Sequence, residues 1–564
     1  MTAWLDAVMP HLIAAPILLP MLVAALMLLM SERRRNWKAG LNVAGTLLTL
    51  GASVALLLWV DGSRVPSAVG VYLPGNWPVP FGIVLVADRL SAMMVVLAGM
   101  VVLACLLFSL ARWHAAGVHF HSLMQIQLVG LNGAFLTGDL FNLFVFFEVM
   151  LVASYGLLLH GSGRARVQAG LHYIAINLFA SFLFLVGIAM LYGVTGTLNM
   201  ADMARKLAMI PPGDRGLLHA GAAILGLAFL TKAAQWPLNF WLVPAYTAAS
   251  APVAALFAIM TKVGVYAVLR VWTLFFAPSA MTTTLFGADA LLWGGLVTLA
   301  FGALGVLASH QLGRLAGYSL LVSSGTLLGA IGFGQAPVTG AALFYLVSST
   351  LAVCALFLLV ELIERSRQMV ADAPLTEAAE EDAPFLVEPG GRVALPEGVN
   401  LDELEQVLIG RAIPASMAFL GLSFAVSALL VAGLPPLSGF LAKFALLSAV
   451  LNPAGFGGLV VPTPAGWTLM VLLIGSGLCA TIALARAGIR YFWAPQQRPV
   501  PRLRVIESLP VAALLIASTA LMVWGAPVLR YTLEAAESLH QPGPYIDAVM
   551  SARPVAPARE RNAP

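Results

Sequence analysis

Two lysines set deep in apolar sequence are the residues here that could do chemistry. Lys232 lies in LGLAFLTKAAQWPLNFWLVPAY and Lys262 in APVAALFAIMTKVGVYAVLR. A lysine at the centre of a membrane helix costs about 2.5–3.5 kcal/mol, so it needs water, a counter-charge or loss of its proton to persist. Two such lysines in successive helices suggest a polar path through the bilayer, with amines that release and regain protons. Glu148, in LFNLFVFFEVMLVASYGLLLH, stands eight residues into its run, about 12 Å along a helix axis and so near the midplane. A carboxylate there is a functional candidate; the alternative is a protonated carboxyl bonded to a neighbouring helix. Lys443 follows Pro435 and Pro436 in GLPPLSGFLAKFALL.

The elements that must position these groups are interrupted helices. Pro237 comes five residues after Lys232, removes a backbone donor and disfavours helix in the residue before it. The span carrying Lys232 is therefore predicted to break near its middle, and such breaks are tolerated only where protein or a water-filled cavity satisfies the freed groups. The weakly polar run from Ile413 to Leu451 would exceed about 50 Å as one helix, too long for one crossing of a ~30 Å core. Pro435 and Pro436 supply its break. Corresponding broken helices in two halves of a chain point to a transporter built from inverted repeats.

The whole sequence fits that setting. Of 564 residues 60% are hydrophobic and 10% charged, where a soluble chain carries about 25% charged. Roughly fourteen apolar runs of about 20 residues recur between Ile13 and Leu529. The first, Leu12 to Met30, ends in SERRRNWK rather than a cleavage site, so it reads as a retained helix. The net charge of +4 sits in short loops, following the positive-inside rule rather than a nucleic-acid footprint. By that rule the Arg33–Lys38 cluster is cytoplasmic, and both termini lie outside. Cys105, Cys354 and Cys479 are far apart in apolar runs and read as packing residues. No dinucleotide, phosphate-loop, HExxH or haem motif is present, so neither a cofactor nor a metal is expected.

In order, the predicted organisation is three helices over 1–112, a five-helix unit over 123–276, a second over 290–494, and a last helix with an outer tail over 505–564. The second unit is interrupted at 364–406 by an acidic, proline-bearing cytoplasmic insertion that cannot enter the bilayer. The loop GSRVPSAVGVYLPGNWPVPFG is a candidate hairpin. His114, His119 and His121 read as loop-surface residues, since no cysteine or carboxylate joins them in sequence. For His172, Tyr173 and Asn177 interfacial anchoring and a role in transport both stay open, as do snorkelling and a place in the path for Arg270. The run LAGYSLLVSSGTLLGAIG lets helices approach closely, and its serines could equally hold water. The tail after Arg530 reads as poorly ordered.

Taken together, Glu148 in FNLFVFFEVM, Lys232 in TKAAQWPLNFWLVPAY, Lys262 in TKVGVYAVLR and Lys443 in GLPPLSGFLAKF resemble the antiporter-like subunits shared by Mrp/Pha multisubunit cation/proton antiporters and respiratory complex I. The TKVGVY wording, the length and the acidic insertion look most like the D subunit of the antiporters. The resemblance implies an all-α polytopic membrane protein of about fourteen helices, with two inverted five-helix repeats that each contain a broken helix. It implies a charged pair of Glu148 and Lys232, a central relay at Lys262 and a terminal relay at Lys443. It also implies sister membrane subunits as partners, protons and sodium or potassium as cargo, and residence in a bacterial inner membrane. The family pattern places histidines near Ser323 and Ser349 and a lysine near Val353; here Tyr318, the serines and water are the candidates to join Lys262 to Lys443. A proton-pumping subunit of a redox complex and a structural membrane scaffold are the rival readings.

Overall fold

The computed structural model describes residues 9–62, 69–276, 286–371, 414–452, 461–493 and 503–555. The acidic insertion expected at 364–406 falls outside them, apart from the end of the helix that precedes it. Nineteen α-helices occur among the described residues. The first six long ones are α1 (Ala15–Leu29), α2 (Arg35–Asp61), α3 (Arg89–Ser109), α4 (Phe120–Leu136), α5 (Leu140–Leu158) and α6 (Arg164–Thr195). After the short α7 (Met200–Leu207), the seventh crossing is split into α8 (Arg215–Lys232) and α9 (Leu242–Ala248). Then come α10 (Ala251–Phe275), α11 (Ala288–Ala308), α12 (Leu312–Gly332) and α13 (Ala336–Ala371). A second split crossing, α14 (Ala415–Ala432) and α15 (Ser438–Leu451), is followed by α16 (Pro464–Gly488) and α17 (Val505–Val523).

With each split pair counted once, α1–α6, α8/α9, α10–α13, α14/α15, α16 and α17 make fourteen crossings. Eleven of these helices are long and apolar enough to span on their own. The crossings α4 to α10 and α11 to α16 form two units of five, each broken in its fourth member.

Why the breaks fall where they do is visible in the backbone. Ala234 takes a left-handed conformation (φ 57°) and Pro237 has no N–H. The N–H of Trp236 is freed from the helix and donates to Thr298 Oγ1 of α11 at 2.8 Å. At the second break Gly433 takes φ 76°, ahead of Pro435 and Pro436.

Helix α10 occupies the centre and is buried all round. It packs on α3, α8, α12 and α13. Gly264 permits its contact with α8, because a Cβ there would run into the backbone of Ala233 beside the first break. Helices α11 and α12 are packed as the small-residue run predicts: a side chain at Gly295 would collide with the backbone of Gly329.

The expected hairpin is present, with β1 (Gly70–Tyr72) antiparallel to β2 (Leu85–Ala87). Two expectations are corrected. As far as Val555 the tail is built rather than loose: α18 (Gly525–His540) packs on α13, and α19 (Gly543–Met550) buries Tyr545. Tyr531 donates to Arg89 O at 2.8 Å, and Asn76 exchanges two hydrogen bonds with Val555. The histidines are not a plain surface loop. Helix α4 begins before its apolar run, at Phe120, so His121 turns inward and accepts from Asn42 Nδ2 at 2.9 Å. A carboxylate from a distant loop does reach His119: Glu32 Oε1 lies 3.1 Å from its Nδ1 and 2.6 Å from Lys38 Nζ.

Candidate functional site

Helix α8 stops at Lys232, which places the ammonium at a helix C-terminus, where exposed carbonyls favour positive charge. Its Nζ lies 3.3 Å from Ser181 Oγ and 5.2 Å above the ring of Phe147. Glu148 follows Phe147 on α5, and one of its carboxylate oxygens is buried with no hydrogen-bond partner among the described residues. Among the described contacts no ion pair joins Glu148 to Lys232.

A small cavity of about 20 Å³ connects Lys232 with Asn177, Tyr173, Trp241, Tyr246 and Thr261. One water needs about 10–15 Å³ of such space, so this cavity seats a single water. Tyr246 bridges the far wall, 3.2 Å from Thr261 Oγ1 and 3.0 Å from Phe257 O. Lys262, the next residue on α10, is fully buried and donates to Ser323 Oγ of α12 at 2.6 Å. Ser323 Oγ in turn lies 2.9 Å from Ser349 Oγ of α13.

Both serines open onto a second cavity of about 30 Å³, room for roughly two waters. Lys443 lies across it, and Ser348 on its rim is bonded to Ser438 at 2.9 Å. Lys443 Nζ donates to Ala432 O at 2.8 Å, the last carbonyl of α14. Each broken crossing therefore ends its first half-helix against a lysine. Tyr318, expected as a bridge between Lys262 and Lys443, lines a different and larger cavity instead. Ser323 and Ser349 occupy the linking positions. Among the described residues no group of three or more His, Cys, Asp or Glu is placed to hold a metal.

Arg270 neither snorkels nor joins this seam. It is buried two turns beyond Lys262 and forms a two-pronged ion pair with Asp88, both contacts at 2.6 Å. Tyr266 and Tyr545 flank the guanidinium at 5.6 and 5.3 Å. Asp88 opens the segment DRLS and caps α3 through Ser91. Its partner, 182 residues away, left no local signal.

At the arginine-bearing end a second cluster forms around Trp113. Its indole N–H is shared between both oxygens of Glu361, at 2.8 and 2.7 Å, and its carbonyl accepts from His160 Nε2 at 2.8 Å. The Arg166 guanidinium sits 5.0 Å above the ring, and Arg365 and Glu507 pair beyond it at 2.6 and 2.8 Å. Burial holds His160 below the ordinary histidine value; the Trp113 carbonyl opposes this and Arg166 adds to it. Burial and Arg35 lower His114 in the same direction.

Residues 137–386 match the family model described as NADH:quinone oxidoreductase/Mrp antiporter, TM. The chain is 52% identical over 553 residues to the D subunit of a probable K(+)/H(+) antiporter of Rhizobium meliloti (strain 1021), covering 98% of this chain and 99% of that one. It is 33% identical to the D subunit of a Na(+)/H(+) antiporter of Alkalihalophilus pseudofirmus, over 96% of this chain and 100% of the relative. One chain in the structure of the Mrp complex from Dietzia sp. DQ12-45-1b superposes with a TM-score of 0.73 at 26% identity, covering 97% of this chain and 100% of that one.

Proposed function

Because the chain belongs to the family of D subunits of Mrp-type cation/proton antiporters, we propose that it is the proton-carrying membrane subunit of such a multisubunit complex. It works beside sister membrane subunits, and the complex exchanges protons for sodium or potassium. The arginine-bearing loops face the cytoplasm, as the positive-inside rule requires, and both termini lie outside.

In this reading protons move along Lys232, water admitted to the cavity beside it, Lys262, Ser323, Ser349 and Lys443. Each lysine takes a proton from one neighbour and passes it to the next, and the hydroxyls donate on one side while accepting on the other. Glu148 acts as the switch. When its carboxylate approaches Lys232 the ammonium is held charged; when they part, Lys232 can release its proton to the seam. An elementary charge crossing 100 mV is worth about 2.3 kcal/mol, comparable with forming or breaking one such pair, so the membrane potential can drive the relay.

The observation that carries this reading is the unbroken succession from Lys262 Nζ through Ser323 and Ser349 to the cavity at Lys443. The test is cation-driven pH change in everted vesicles containing the whole complex with Lys232→Ala or Glu148→Ala. Both variants should assemble and lose the response. Wild-type responses in both would refute the assignment.

A further inference from the structure

A cavity of about 820 Å³ opens at the arginine-bearing end, between helices of the first five-helix unit and α11 and α12 of the second. Gln168 and His172, from the first turns of α6, and Arg314, from the first turn of α12, line its mouth. Asn239 and Trp241, on the connector of the broken crossing, line its floor. Trp241 also lines the single-water cavity at Lys232. Trp241 is thus common to the lining of the wide vestibule and of the small cavity at Lys232.

The wall is polar where an apolar plug would serve for packing alone. Trp241 is 2% exposed, yet its indole N–H has no hydrogen-bond partner among the described residues. The Asn239 amide nitrogen, in a residue 4% exposed, is in the same state. A buried donor left unmade is unfavourable, so two of them beside a water-sized space call for an acceptor that comes and goes. Aromatic neighbours hold the indole, with Tyr173 centred 5.5 Å and Tyr246 6.1 Å away. The connector that carries it is non-helical from Ala233 to Trp241.

We propose that Trp241 gates the proton path on this side, standing between the vestibule and the water at Lys232 and admitting a proton when the indole turns. With the gate closed the indole ring fills the gap. When it turns, its N–H and the Asn239 amide bond a short file of water, and a proton passes from vestibule water to neutral Lys232. Trp241 is a positioning residue in this account, since it takes no proton itself. The proposal rests on the reading of Lys232 as a proton carrier, but the gate has a readout of its own.

That readout is thiol accessibility in the intact complex. Asn177→Cys places a thiol in the small cavity, and a small membrane-impermeant cationic methanethiosulfonate is applied from the arginine-bearing side, with the label located by peptide mapping. With Trp241 or Trp241→Phe the thiol should label slowly; with Trp241→Ala it should label about tenfold faster or more, as a lowered access barrier requires. Equal rates in all three would overturn the gate. If the alanine variant does not assemble, Trp241→Val removes most of the ring and reads the same rate. Proton leak into choline-only proteoliposomes is the second arm: Trp241→Ala should leak and Trp241→Ala/Lys232→Ala should not. Faster labelling with a leak that survives loss of Lys232 would leave the gate standing and defeat the proton-carrier reading instead.

Discussion

Lys443 Nζ stands 2.8 Å from the carbonyl oxygen of Ala432, across the break that separates α14 from α15. A cation at the end of a half-helix is favoured by its unpaired carbonyls, so this site can hold the ammonium without a carboxylate. Lys232, itself the last residue of α8, occupies the equivalent place in the first unit. The two ends of the seam are thus built alike, although one lysine precedes its proline and the other follows its pair.

Replacing Lys443 by arginine keeps the charge but not the proton exchange, because a guanidinium stays protonated at any working pH. The Lys443→Arg complex should assemble in normal amounts and lose proton flux in proteoliposomes. Flux at wild-type level would mean that Lys443 supplies charge alone.

Gly433 presses on the same side chain. It takes φ 76°, and a Cβ there would meet the Lys443 methylenes. Gly433→Ala is expected to displace the ammonium from Ala432 and slow transport, with assembly retained. Unchanged rates would show that this contact is dispensable.

The Ser323 hydroxyl is the acceptor for a fully buried ammonium. Without it Lys262 loses a bond of about 1–3 kcal/mol, so Ser323→Ala should lower proton flux on the order of tenfold, and Ser323→Thr should restore much of it. Flux unaffected by the alanine substitution would remove Ser323 from the path.

The Asp88–Arg270 pair predicts stability rather than transport. Removing one partner leaves a buried charge uncompensated, at about 3–5 kcal/mol, whereas replacing both by apolar residues costs much less. Asp88→Asn should lower the thermal midpoint of the purified complex, and Asp88→Leu/Arg270→Met should recover most of it. A double variant no better than the single would contradict this.

His160 and His114 set a pH dependence at the opposite end. Both are held below the ordinary value of 6.5, so below that value the unfolded chain binds more protons than the folded one. Stability contributed by the neutral imidazoles is therefore fully present above this value and is lost as pH falls below it, through the lowered values of the folded protein. Hydrogen-exchange protection factors of the Trp113 region, taken relative to the intrinsic exchange rate at each pH, should fall on acidification, and His160→Gln, which keeps a donor for the Trp113 carbonyl, should blunt the fall. An equal fall in the variant would place the effect elsewhere.

What the sequence made legible was whatever violates local expectation. Lys232, Lys262 and Lys443 stand out because charge in apolar sequence is costly, and Pro237, Pro435 and Pro436 because proline stops helices. Both breaks occur beside these prolines. Partnerships across long separations were not legible: nothing near Asp88 announces Arg270, and nothing near Glu32 announces His119. Serine was ambiguous for a different reason. Its hydroxyl is equally at home bonding its own helix, as Ser319 does to Leu315 O, and spanning to another, as Ser323 does. The tail was misjudged because α18 and α19 are held by contacts with α13 and the hairpin region rather than by their own composition.

The central claim is that protons cross by way of Lys262, and the most direct measurement is proton flux in proteoliposomes containing the fully assembled complex with Lys262→Met. A side chain of similar length that cannot carry a proton should abolish cation-coupled flux while the complex stays intact. Wild-type flux through that complex would contradict the account.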